Sequence, residues 1–232
     1  MNYNTFFDKI SIEEIDKTKA IHYLDTRGIS EHIFVAEYLQ SLKADKVTYC
    51  EVATAFRYDK RIRRIIYKYI GFLEEYLRAY IINNFNTNVS EIETTKVLSD
   101  LIDKYKDLYS AVSQLTFGNL ISQIKKLPVS YRCNIFKTNV KFKNLDALVG
   151  LRNEVNHNRF LLHNKSLRSC TVSTNSGRSL WANIINLSNH LPESTKKGLI
   201  EEIEIAKEPG KIHFDSQVKW NLLKEVIIEI NC

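Results

Sequence analysis

Seven glycines and three prolines are all the chain-breaking residues that 232 positions contain, about 4% where soluble domains average about 12%. All-β architectures need turn residues about every 8–12 positions, and this chain cannot supply them. Gly28, Gly71, Gly118, Gly150, Gly177, Gly198 and Gly210 also stand singly. Neither a dinucleotide-binding glycine fingerprint nor a phosphate-cradling P-loop can be written from them. The expectation is an all-α fold.

An apolar content of 44% is enough for a sizeable core. No apolar run reaches the ~18 residues that mark a membrane span, and the first residues lack a signal-peptide pattern. The chain therefore reads as a cytoplasmic protein. Cys50, Cys133, Cys170 and Cys232 lie far apart, with no CxxC and no Cys/His pair at zinc spacing. They read as reduced thiols, and no metal or other cofactor is expected. A net charge of +6 permits a nucleic-acid partner without requiring one.

Helix signals divide the chain. Ser11–Glu14 and Thr48–Glu51 read as capping boxes, and Gly28 as a helix stop. Ser30 opens a helix carrying Ile33, Phe34 and Leu39 on one side, and the helix after Thr48 reaches about Phe56. Ile62, Ile65, Ile66, Tyr69, Leu73, Tyr76, Leu77 and Tyr80 draw an apolar stripe along a helix from Asp59 to about Phe85. Further helices are expected over 90–109, 117–127, 131–137, 181–191, 193–206 and 216–230. Another, capped by Asn144, should run to about Phe160. The Ser/Thr/Asn-rich stretch at about 164–178 reads as a flexible loop. Without repeats or a clear boundary, residues 1–232 read as a single domain.

Two constellations could carry chemistry. Arg57, Lys60, Arg61, Arg63, Arg64 and Lys68 crowd one stretch against a single acid, Asp59. Lys60, Arg64 and Lys68 stack at i, i+4, i+8, with Arg57 and Arg61 beside them, away from the isoleucines. This row reads either as a solvated face or as a set of phosphate contacts for RNA.

The other constellation is Arg152-Asn153-Glu154-Val155-Asn156-His157. The same Arg-to-His spacing occurs at Arg27 and His32, but that copy spans a helix stop and a helix start. At about 100° per residue, Arg152 falls about 25° and Asn156 about 65° from the centre of a face formed by Leu145, Leu148, Val149, Leu151 and Val155. Asn153 and His157 stack along the adjacent rim. A guanidinium aimed at an apolar face must find partners. Either it lines an anion-receptive notch, or it pairs with an internal acid beside an ordinary histidine. His22, His32, His163, His190 and His213 read as surface or cap histidines.

The Arg-Asn-x-x-x-His arrangement resembles the signature of HEPN-type ribonucleases. Phe56-Arg57-Tyr58-Asp59-Lys60-Arg61-Ile62-Arg63-Arg64, the Glu74–Arg78 pair, Thr116-Phe117-Gly118-Asn119-Leu120 and the extension His157-Asn158-Arg159-Phe160 are similar to the Abi-like (abortive infection) branch of that superfamily. The likeness is clearest over residues 20–165. Glu154 and Asn156 stand where that family often has small or apolar residues.

The resemblance implies a HEPN-like helical bundle with additional N- and C-terminal helices, and a homodimer that juxtaposes two copies of the motif. It implies metal-independent RNA cleavage in phage defence or as a toxin, with an antitoxin protein or RNA as partner. Arg152, Asn153 and His157 are then the catalytic residues. Arg57, Lys60, Arg61, Arg64, Lys68, Asn158 and Arg159 contact RNA, and Glu74 with Arg78 gives structural support. The alternative is a non-catalytic RNA- or protein-binding module.

Overall fold

The computed structural model describes residues 3–42, 44–86, 89–137, 140–172 and 179–206. Among them the fold is all-α, as the scarcity of turn residues requires. The helices are α1 (Asn4–Phe7), α2 (Glu14–Arg27), α3 (Ile29–Gln40), α4 (Tyr49–Phe85), α5 (Lys96–Tyr105), α6 (Leu108–Ser113), α7 (Phe117–Lys126), α8 (Val129–Phe136), α9 (Phe142–Asn156), α10 (Ser179–Asn189) and α11 (Glu193–Ala206). No helix among the described residues is long and apolar enough to cross a membrane. The helix expected over 216–230 and His213 lie outside the described residues.

Two compact units share the chain. One comprises the described residues within Met1–Arg64, Phe160–His163 and Glu201–Cys232; the other those within Ile65–Arg159 and Asn164–Ile200. In the first unit, Ser11 and Thr48 form an isolated parallel bridge, with the Ser11 N–H donating to the Val47 carbonyl at 2.7 Å. Ser11 is thereby committed to the bridge, so α2 begins at Glu14 without the expected capping box. Gly28 ends α2 in a positive-φ conformation (87°) that suits glycine, and it also serves as N-cap of α3 in place of Ser30. The buried face of α3 is His32, Val35, Ala36 and Leu39, so Phe34 stands 40% exposed. Helical phase, not hydrophobicity alone, decides which side faces the core.

The Thr48–Glu51 capping box does form, with both backbone N–H groups satisfied reciprocally. It opens one helix of 37 residues, where separate segments to about Phe56 and from Asp59 were expected. Nothing between Phe56 and Asp59 breaks the backbone ladder, and Asp59, a weak helix former, is held by Arg63 one turn on, Nε to Oδ2 at 2.7 Å. The expected apolar stripe is real: Ile62, Ile66, Leu73 and Leu77 are fully buried. Ile65, Tyr76 and Tyr80 are only half-buried, and the two tyrosine hydroxyls donate to the carbonyls of Ile135 and Tyr131.

The single helix expected over 90–109 is broken instead. A 3-10 turn at Val89–Glu91 precedes α5; Lys106 then turns left-handed (φ 65°) and Asp107 caps α6 through the Ser110 N–H. An aspartate able to cap competes with helix continuation.

Candidate functional site

Three of the four family-like motifs build the frame. Tyr58 and Asp59 are buried. Oδ1 of Asp59 accepts from the N–H groups of Leu161 (2.6 Å) and Leu162 (3.1 Å), within the same unit. The Glu74–Arg78 pair (2.5 Å) directs the Arg78 guanidinium to the carbonyls of Val112 and Leu115 (2.6 Å), satisfying the chain that leads out of α6. Thr116 caps α7 through the Asn119 N–H, while Phe117 and Leu120 enter the core. Gly118 faces Val149 of α9 so closely that a methyl group there would just touch it, at 3.7 Å.

The fourth motif lies on α9. Its core face is Leu145, Ala147, Leu148, Gly150, Leu151 and Val155, with Val149 half-buried. Lys141, not Asn144, is the N-cap; the Asn144 side chain instead accepts from the N–H and hydroxyl of Thr171. The helix stops at Asn156, four residues before the expected end. His157 is the C-cap and Asn158 turns left-handed at φ 54°. The Asn158 N–H donates to the Val155 carbonyl and the Arg159 N–H to the Glu154 carbonyl. This double bond pattern is a Schellman stop, in which asparagine substitutes for the usual glycine. Asn158→Gly is accordingly expected to keep stability within a few tenths of a kcal/mol, while Asn158→Ala loses about 1 kcal/mol in urea unfolding.

Arg152, Asn156 and Val155 line a cleft of about 330 Å³ whose opposite wall is Tyr67, Lys68, Ile70, Gly71, Phe72, Glu74 and Glu75 of α4. Arg152 is half-buried and pairs with no carboxylate among the described residues. With the Asn156 amide oxygen turned toward it, that oxygen accepts from Nη1 at 2.8 Å and Nε at 3.2 Å. The partner is neutral, so the charge of the guanidinium is left uncompensated toward the cleft. Of the two options open in the sequence, pairing of Arg152 with an internal acid is not seen among the described residues, and the cleft it lines also carries Lys68, Glu74 and Glu75.

Asn153 and His157 are exposed, and His157 does not line the cleft onto which Arg152 opens. Glu154 is occupied structurally, accepting from Asn164 at 2.6 Å and facing Arg159 Nε at 3.7 Å. Asn158 and Arg159 are therefore parts of the helix stop before they are anything else.

Comparison with protein-family models, with curated proteins and with solved structures brings no match for this chain. Function rests on the chemistry of the site.

Arg57 and Arg64 are exposed, and Lys60 and Arg61 half-buried; they stay on α4 within the first unit, while Lys68 reaches the cleft wall in the second. Arg63 faces Asp59 and leaves the cationic row. The Arg27/His32 copy is split as expected, since Gly28 separates α2 from α3. Two histidines read as surface or cap residues are instead buried. His32 stacks on Phe56 at 4.3 Å and bonds the Gly28 carbonyl. His190 bonds the Asn186 carbonyl, and burial pushes its pKa down. No cluster of three or more His, Cys, Asp or Glu side chains suited to a metal ion forms among the described residues.

Missing from the sequence reading were Tyr67, Phe72, Glu75 and the role of Asn156 as the acceptor for Arg152. A signal did exist: Tyr67 and Phe72 are large aromatics out of phase with the α4 stripe.

Proposed function

We propose that the protein is a HEPN-type endoribonuclease of the Abi-like kind, cleaving RNA without a metal ion and acting in phage defence or as a toxin. The observation that carries this reading is Arg152, a half-buried guanidinium opening onto a cleft with only a neutral amide as partner. RNA brings its own nucleophile, the 2′-OH, so the protein must supply charge stabilisation and proton transfer. Arg152 stabilises the negative charge that builds on the phosphorane-like transition state. His157 exchanges the proton, leaving a 2′,3′-cyclic phosphate and a 5′-OH. Asn153, exposed one turn before His157, steadies the phosphate or the imidazole.

Because His157 lies outside the Arg152 cleft of its own chain, a second copy is the natural source of the imidazole. A homodimer with two motifs facing each other supplies that arrangement and also provides both an acid and a base. The cations on the first half of α4 add phosphate contacts that weaken as salt rises. An antitoxin protein or RNA that covers the motif fits a toxin role.

The test is cleavage of a labelled RNA in excess EDTA. Wild-type protein is expected to cleave, to leave cyclic phosphate ends, and to lose about 10²–10⁴ in rate on His157→Ala. Cleavage that needs Mg²⁺, or that survives both His157→Ala and Arg152→Ala, overturns the reading.

A further inference from the structure

The Arg152 cleft has walls for which RNA cleavage alone gives no reason. Tyr67 and Phe72 are the two large apolar side chains of α4 that stand exposed, at 63% and 45%, and both line this cleft. The Lys68 ammonium lies 6.0 Å from the centre of the Phe72 ring and 5.1 Å from that of Tyr69. No ring or cation stacks on Tyr67 among the described residues, so its π-face is open. Glu74 is engaged by Arg78. Glu75 is exposed and makes no ion pair among the described residues.

These groups define a ligand. A volume of about 330 Å³ sits at the low end of small-molecule sites, which run from about 300 to 1,000 Å³. A guanidinium paired only with a neutral amide asks for an anion, and the exposed Tyr67 ring asks for a flat, π-bearing group. A carboxylate in the same cleft repels the anion from its own end and accepts N–H donors there. A single nucleotide answers all three demands. A second copy of the chain does not fill this spot well, because the cleft mixes cations, carboxylates and rings rather than presenting a continuous apolar face.

We propose that this cleft seats one unpaired nucleotide of an RNA strand, with its phosphate on Arg152, its base stacked on Tyr67 and its base edge toward Glu75. The proposal takes RNA as the ligand from the reading above and adds the Tyr67 stack, which requires the seated nucleotide to be unpaired. In a duplex the base faces are covered by their neighbours, so Tyr67 cannot reach one.

The experiment measures fluorescence anisotropy with a short 2′-O-methylated oligoribonucleotide, as a single strand and as a blunt duplex. The probe has no 2′-OH, so it reports binding whether or not the protein cleaves RNA, and failure here is distinct from failure of the nuclease reading. Tyr67→Ala is expected to weaken strand binding about 5- to 150-fold, the range that loss of one base–aromatic stack gives. Tyr67→Phe should retain it, and duplex binding should not move. Wild-type strand affinity in Tyr67→Ala, an equal loss on strand and duplex, or a change in oligomeric mass that accounts for the loss overturns the proposal.

Discussion

Replacing Arg152 by alanine is expected to lower RNA cleavage by about 10²–10³ in kcat, with a much smaller change in KM. The guanidinium is held by Asn156 before substrate arrives, so it needs no reorganisation as charge develops on the phosphate. A fixed donor of this kind acts mainly in the transition state. Arg152→Lys should recover only part of the loss, because an ammonium cannot present two parallel donors to two phosphate oxygens. Asn156→Asp is the sharper control. It leaves the arginine in place but sets a carboxylate against it, and cleavage should fall as far as in Arg152→Ala. If Asn156→Asp cleaves at the wild-type rate, the charge of Arg152 is not what the reaction uses. Steady-state kinetics on one labelled strand separates these cases.

Asp59→Ala is expected to be the most damaging single substitution for stability, at about 3–5 kcal/mol in urea unfolding. It removes the acceptor of two buried N–H groups, those of Leu161 and Leu162, and the carboxylate that faces Arg63. A loss below about 1 kcal/mol would show that the buried carboxylate does not anchor this segment.

Burial pushes the Asp59 carboxyl from its ordinary 3.8 up to about 6, against the pull of Arg63 and the two N–H donors. The folded chain therefore holds this proton more tightly than the unfolded chain. The contribution is fully present below about pH 4, falls as pH rises, and is gone above about pH 6, for a swing on the order of 3 kcal/mol. Asp59→Asn keeps the acceptor oxygen but cannot titrate. The stability difference between it and the wild type should thus move in favour of the asparagine as pH rises from about 4 to 6. A difference that stays flat across this window would place the Asp59 pKa near its unfolded value.

The family-like motifs divide by task in a way their order along the chain does not show. Asp59, the Glu74–Arg78 pair and the Thr116–Leu120 turn are bonded to backbone, to caps and to core. The α9 motif opens onto a cleft, with Lys68 and Glu74 of α4 in its wall. A polar residue in a helix looks the same in sequence whether it satisfies a carbonyl inside the fold or waits for a ligand. Arg78 and Arg152 are such a pair: both are half-buried arginines on amphipathic helices, and they differ only in what stands opposite.

The sequence alone determined the helical class, through its lack of turn residues, and it determined most helix positions through the 3.6-residue spacing of isoleucine and leucine. It also placed Arg152 on the inward side of its helix, because that angle follows from local geometry. Tertiary structure decided the rest. Ser11 went to a bridge with Thr48, Asn158 ended α9 before His157, and the partner of Arg152 proved to be Asn156 rather than an acid. Each of these outcomes turns on which distant group satisfies a donor or acceptor. A periodic pattern reports which side of a helix is buried, but not what it is buried against.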